Sequence, residues 1–270
     1  MSLYSSSKNQ SSVLGKPLQA KKSFGQHFLV NKGVLQKIID VSEIRSEDTI
    51  LEIGPGTGLL TRELLQVSKE VYACEVDRDL IADLKNIFSG VEPFHLIEKS
   101  GLVYEPSFAK YKIVANIPYN ISGHFFRHYL EETKCRPEKI VVMIQKEVAT
   151  KASAKTGDTN LLSLGVQLFG KPRIAFLVKP GSFNPPPSVD SAVLVIDVYE
   201  KPLLPEEDIP KFFELARQAF QHKRKQLRVS WKDMISPIVL QKLEGSWDLN
   251  RRPESLGVEE WVELYKSLYS

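Results

Sequence analysis

The chain has little of what would mark a secreted, metal-clustered or membrane protein. Among 270 residues there are two cysteines, Cys74 and Cys135. Two thiols build neither a disulfide framework nor a metal cluster, so both are expected as packed residues in a reducing cytoplasm, with no metal. No stretch approaches the roughly 20 continuous apolar residues that cross a bilayer, and no membrane partner is expected. The first residues lack the apolar core of a secretory signal, and no arginine precedes Arg45, which argues against an export or organelle address. Net charge is also scarce, at +3. What remains is an ordinary globular composition, 42% hydrophobic and 26% charged, long enough for one large domain and a small one.

The charge is uneven. Lys8, Lys16, Lys21, Lys22, Lys32 and Lys37 precede the first acid, Asp40. A second set, Arg217, His222, Lys223, Arg224, Lys225 and Arg228, lies in a helix-like stretch opposed only by Glu214. Basic patches flanking a neutral domain suit a phosphate backbone. Charge alone fits a solvated helix face and a loose tail equally well.

Residues 1–20, rich in Ser, Lys and Gln, read as a flexible basic tail. Beyond them strands and helices alternate. Strands are expected at 49–53, 70–75, 94–97, 112–115, 140–144, 173–178 and 192–198, with helices in most of the links. That order predicts an α/β fold with a mainly parallel sheet covered on both faces. The last two strands are joined by a proline-rich loop with no room for a crossover helix, so they should form an antiparallel pair. After Lys201-Pro202-Leu203-Leu204-Pro205 the pattern turns helical, at 207–222, 235–244 and 258–268. A domain boundary is placed there, between residues 21–202 and 203–270.

Glu52-Ile53-Gly54-Pro55-Gly56-Thr57-Gly58 follows the first strong strand and opens a helix. Glycines let the backbone turn tightly and approach a ligand closely. Glu75 ends the next strand, where an acid holds a ribose diol beyond the carboxyl ends of a parallel sheet. A pyrophosphate site would suit Gly-x-Gly-x-x-Gly; the spacing here is Gly-x-Gly-x-Gly, which resembles the nucleoside-binding loop of class I methyltransferases.

Asn116-Ile117-Pro118-Tyr119 comes directly after the strand at 112–115 and so lies at the same sheet edge. Alone, such a tetrapeptide is a turn. Beside a methyl-donor site its residue types fit methylation of an exocyclic amine, whose lone pair is delocalised into the ring. The Asn116 side-chain oxygen and the Ile117 carbonyl can draw the amine hydrogens out of plane, and Pro118 stiffens the loop. Tyr119 can stack on a base taken from its helix, and Phe183, in a stiff proline-rich loop, is the candidate for the other face.

Together these segments resemble the small-subunit ribosomal RNA adenine dimethyltransferases. The carriers are residues 22–29 (KSFGQHFL), 51–61 (LEIGPGTGLLT), 75–80 (EVDRDL), 115–122 (ANIPYNIS), 145–149 (QKEVA), 185–193 (PPPSVDSAV), 219–228 (AFQHKRKQLR) and 252–256 (RPESL). The resemblance implies a Rossmann-like class I methyltransferase domain followed by a small all-helical domain that contacts RNA. It also implies S-adenosylmethionine as cofactor and two neighbouring adenosines near the 3′ end of 16S rRNA, in the small ribosomal subunit, as target. A monomer is expected. His27 and Leu29 would line the cofactor site, Gly54 would approach the methionine part, Glu75 the ribose and Val76 the cofactor's adenine. Asn116 would face cofactor and target, with Tyr119 and Phe183 sandwiching the target base. Lys22, Arg217, Lys223, Arg224, Lys225 and Arg228 would contact RNA.

Ser100 departs from the family pattern, which has an acid there to accept from the cofactor's adenine amine. Lys151 replaces a usual arginine. Two rivals stay open at this point: a large-subunit RNA methyltransferase of the antibiotic-resistance type, and a non-catalytic assembly factor on the same fold. Ile117 speaks against a DNA adenine methyltransferase, which carries Pro-Pro at that step.

Overall fold

Seven runs rich in Val, Ile and Leu pair into one sheet. They are β1 (Thr49–Ile53), β2 (Glu70–Cys74), β3 (Phe94–Ile97), β4 (Lys112–Asn116), β5 (Lys139–Gln145), β6 (Gly170–Val178) and β7 (Ser191–Val198). The computed structural model describes residues 26–221 and 225–269, and in the preceding tail the antiparallel pair Ser12–Val13 and Lys16–Pro17. Lys22, His222, Lys223 and Arg224 lie outside the described residues.

The strand order is β3-β2-β1-β4-β5-β7-β6. The first five strands run parallel, and β7 runs antiparallel to both β5 and β6. All seven expected strands are present, and the last two pair antiparallel. Chain direction across the sheet reverses at β1, which has β2 on one side and β4 on the other. Ligands of open α/β sheets bind at such a switch point, beyond the carboxyl ends. The glycine loop follows β1 and Asn116 ends β4, so the topology brings the two motifs to one crevice.

The strands are apolar on both sides, as a doubly covered sheet requires. Ile50, Val114, Val141 and Val193 face one way, against Leu35 and Ile38 of α1 (Lys32–Ser42) and Leu60 and Leu64 of α2 (Leu59–Val67). Leu51, Ile113, Val142 and Leu194 face the other way. They join Phe125 and Phe126 of α4 (Ser122–Phe126), Leu164 of α6 (Leu161–Gln167) and Phe212 and Ala216 of α7 (Ile209–Gln221) in one apolar cluster. That cluster continues into the tail through Trp231 and Trp261.

Local chemistry starts the helices where the sequence puts capping residues. Asn31 accepts from the Val34 amide ahead of α1, and Asp77 from the Asp79 amide ahead of α3 (Arg78–Ile87). Asn160 and Ser163 cap α6 reciprocally. Helix α5 (Lys146–Ala152) follows β5 directly. The tail holds α7, α8 (Leu227–Ser230), α9 (Pro237–Glu244) and α10 (Val258–Tyr269). Periodicity misses α8 because four residues are too few to display a helical repeat.

One further element positions the site. Residues 26–30 cross the carboxyl edge of the sheet as a strap: Phe28–Leu29 pairs antiparallel with Phe183–Asn184, and the Val30 amide donates to the Ser182 carbonyl at 2.9 Å. The strap forms one wall of the crevice.

Candidate active site

The crevice is lined by the strap, the glycine loop, the turn after β2, the loop after β3 and the Asn116–Ile121 segment. His27, Leu29, Gly54, Glu75, Val76, Ser100, Asn116, Ile117, Pro118 and Tyr119 all lie on its surface. Phe183 does not. It is 4% exposed and packs with Leu29 and Val178 in the apolar cluster beneath the strap. An aromatic in a proline-rich loop reads equally as stacking platform or buried anchor, and the pairing with Leu29 puts this one in the anchor position.

Gly54, Gly56 and Gly58 have φ of +70°, +57° and +74°, the left-handed region that side chains avoid. Space adds to the demand. A Cβ on Gly58 would lie 2.7 Å from the Phe88 ring, and one on Gly56 3.1 Å from the Phe28 ring. At Gly54 only Pro118 Cδ, 3.7 Å away, would meet a Cβ, so a side chain there would stand in the crevice itself. The loop is therefore shaped to be approached at Gly54.

Two buried carboxylates flank that cradle. Glu75 Oε1 accepts from the amides of Val76 at 2.8 Å and Asp77 at 3.0 Å. Burial raises its pKa, opposed by the amides of Asp77, Val76 and Gly56. Glu52 is 1% exposed and accepts from the Thr61 hydroxyl at 2.7 Å. Burial is the main cause that pushes it up to about 8; the Thr61 bond opposes this and the Glu75 charge adds to it. Glu75 at the floor offers a carboxyl to a ligand's hydroxyls, which suits a nucleoside better than a pyrophosphate. Val76, 46% exposed, offers an apolar surface at the rim. Ser100 accepts from the Leu102 amide at 3.2 Å, capping its own turn.

The protonated state of Glu52 has a measurable consequence. Its folded pKa of about 8 lies above the ordinary 4.5, so folding retains a proton between those values. Stability is undiminished below pH 4.5 and falls as pH rises toward about 8. Glu52→Gln should therefore gain about 2 kcal/mol over the parent between pH 6 and pH 8. Thermal melts across that range check it; a pH-independent difference would contradict it.

At the end of β4 the Asn116 amide nitrogen donates to the His27 main-chain carbonyl at 3.2 Å. That bond commits the amide nitrogen and leaves Oδ1 as the side chain's acceptor, on a residue that lines the crevice. The side chain of Ile117 is buried in the sheet's apolar cluster, which pins the loop from below. Tyr119 stacks against His27, ring centroids 5.7 Å apart and planes 25° apart, and its hydroxyl meets Ser191 Oγ at 2.5 Å. The His27 ring also contacts the Pro185 carbonyl through Nδ1, at 2.9 Å. Sequence reasoning gave no role to Glu52, Thr61, Gln26 or Ser191. Glu52 had a signal, its place in β1 just ahead of the cradle; Gln26, which donates to Asp77 at 3.0 Å, and Ser191 are far away in sequence from what they touch.

A 3-2-1-4-5-7-6 sheet with a glycine cradle after β1, an acid after β2 and Asn-Ile-Pro-Tyr after β4 defines a Rossmann-like class I methyltransferase. The family model described as ribosomal RNA adenine dimethylase matches residues 18–269. The chain belongs to that family. Ribosomal RNA small subunit methyltransferase A of Dehalococcoides mccartyi is 41% identical over 259 residues, covering 93% of this chain and 89% of that protein. The protein of the same name from Clostridium botulinum is 36% identical over 260 residues, covering 92% and 94%. Among solved structures, a dimethyladenosine transferase from Plasmodium falciparum superposes with a TM-score of 0.74 at 30% identity, covering 88% of this chain and 96% of that one. The 23S rRNA methyltransferase ErmE shares the fold at a TM-score of 0.75 and 24% identity, covering 90% and 100%.

Proposed function

We propose that this chain transfers methyl groups from S-adenosylmethionine to N6 of two adjacent adenosines near the 3′ end of 16S rRNA in the small ribosomal subunit. The observation that supports this most is the Asn116 amide, whose nitrogen is committed to the His27 carbonyl, leaving its oxygen to accept in a crevice that Tyr119 also lines. Such an acceptor, with the Ile117 carbonyl, draws the hydrogens of an adenine amine out of the ring plane and localises its lone pair. Tyr119 holds the base by stacking, worth roughly 1–3 kcal/mol. Most of the rate gain comes from alignment of the reacting atoms. When bound, the cofactor supplies a methyl group already activated by a sulfonium centre, so no strong base is required. The alkylated nitrogen then releases its proton to water.

His27, Leu29, Gly54, Glu75, Val76, Ser100 and Asn116 would hold the cofactor, with Glu75 toward its hydroxyls and Val76 on its purine. A stacking role for Phe183 requires RNA binding to draw its ring out from beneath the strap. The parts are residues 21–202 as methyl-transferring unit and 203–270 as RNA-contacting helices, in a cytoplasmic monomer. Mass spectrometry of unmethylated small subunits incubated with protein and cofactor is the direct test. A gain of four methyl groups on the 16S rRNA supports the reading; binding without mass gain favours a non-catalytic assembly factor.

Ser100 sets cofactor affinity below that of a chain with an acid in its place, because bonds to a charged acceptor are about twice as strong as neutral ones. Ser100→Asp should tighten cofactor binding about fivefold by titration calorimetry, on the order of 1 kcal/mol. No tightening would refute the weak-binding reading.

Arg217, Lys225 and Arg228 are exposed on the tail and are proposed phosphate contacts, with Lys22, Lys223 and Arg224. Changing Arg217, Lys225 and Arg228 to alanine should weaken subunit binding. It should also flatten the dependence of log affinity on log salt by roughly one per lost contact. An unchanged slope takes these residues out of the footprint.

A further inference from the structure

We infer that Ser191 is a positioning residue for methyl transfer: its hydroxyl holds the Tyr119 ring in the plane on which the target base stacks. This rests on the reading of Tyr119 as the stacking platform. Ser191 opens β7, paired in register with Gln145 of β5 and Val178 of β6, and it is fully buried. It does not line the crevice, so it touches neither cofactor nor substrate. Its Oγ lies 2.5 Å from the Tyr119 hydroxyl, the one hydrogen bond its side chain makes among the described residues. A buried hydroxyl needs such a partner, and the sheet backbone on either side leaves it no freedom to move.

The other constraints on Tyr119 explain why this bond matters. Its main chain is held by Ser122, whose hydroxyl donates to the Tyr119 carbonyl at 3.1 Å. One face of the ring rests on His27, in a strap that is held by a two-residue ribbon and single hydrogen bonds and is not itself a strand of the seven-stranded sheet. Neither contact fixes the far end of the ring. Ser191 does, from the rigid interior of the sheet. Burial raises the Tyr119 phenol above its ordinary pKa, so the hydroxyl stays protonated and the bond persists at neutral pH. The antiparallel β7 insertion thus delivers a sheet-borne anchor to a loop on the opposite side of β5, and a loop-borne base platform acquires the precision of a strand.

The test uses the full chain with RNA substrate. Ser191→Ala should lower kcat about tenfold, with cofactor Kd within twofold of the parent because the glycine cradle and Glu75 are untouched. Tyr119→Phe removes the same bond from its other end and should cost about as much. The double variant should be no slower than the slower single one. Multiplied effects in the double variant, or Ser191→Ala within twofold of the parent, would overturn the assignment. A second readout needs no turnover. In protein labelled with 3-fluorotyrosine, the Tyr119 fluorine resonance, identified by its loss in Tyr119→Phe, should shift and sharpen in Ser191→Ala as the ring gains freedom. An unmoved resonance also overturns it. If the parent protein transferred no methyl groups to RNA, the proposed function would fall, while the resonance experiment would still decide whether Ser191 restrains Tyr119.

Discussion

Asn116→Ala should lower the rate of methyl transfer by about two to three orders of magnitude while leaving cofactor binding within a few-fold of the parent. The expected size follows from what is removed. A preorganised acceptor aimed at developing charge is worth about 10²–10³ in rate when deleted. Here the acceptor is prepaid: the His27 carbonyl has already oriented the amide before any base arrives. The Ile117 carbonyl and Tyr119 remain, so some activity persists. Cofactor affinity falls no more than a few-fold because Asn116 is one of seven proposed cofactor contacts, and the cradle at Gly54 and Glu75, built from β1 and β2, are untouched. Radiolabelled methyl transfer to unmethylated subunits measures the first quantity and titration calorimetry the second. A loss smaller than tenfold would mean that base positioning, and not the amide, carries the catalysis.

Trp261→Ala should be the most destabilising substitution in the tail, costing about 3–5 kcal/mol. Trp261 is fully buried, stacks on Phe220 at 5.7 Å and meets Trp231 edge-on at 5.9 Å. Its indole nitrogen donates to the Pro253 carbonyl at 3.2 Å, so truncation leaves both a cavity and an unpaired carbonyl. In a chain of this size each kcal/mol moves the melting temperature by roughly 2–4 °C, which predicts a fall of about 10 °C. The cluster that holds Trp261 also contains Ile113 and Ile117, so melting of the tail should loosen the catalytic loop as well. Calorimetric scans will show one transition displaced to lower temperature. Two separated transitions would mean that sheet and tail unfold independently.

The sheet was legible because each strand is a short apolar run closed by a turn residue, and the shared sheet edge of the two motifs followed from each coming after a strand; the strand order, and with it the switch point, was not. Gly54, Glu75 and Asn116 were legible for the same reason: each ends or follows a strand, and parallel strands aim their carboxyl ends one way. Contacts that depend on tertiary closure were hidden. Nothing near residue 27 predicts that its carbonyl holds an amide at residue 116, and nothing near Ser191 points to Tyr119. Phe183 shows the limit from the other side. Its local sequence permits either an open or a buried ring, and only the ribbon with Leu29 decides. The protonation of Glu52 is equally non-local, since it arises from burial and from Glu75 one strand away.

The strap aligns Asn116 with a peptide carbonyl, and every amino acid brings an identical one. Residue 27 can therefore drift in sequence without loss of that alignment, so long as the chain keeps its path across the crevice. Alanine scanning of the strap would report side-chain contributions alone and would understate what the segment does. A proline that bends the path, or a cut in the chain between the strap and α1, should do what no side-chain replacement can: uncouple the donor site from the base platform while leaving both chemically intact.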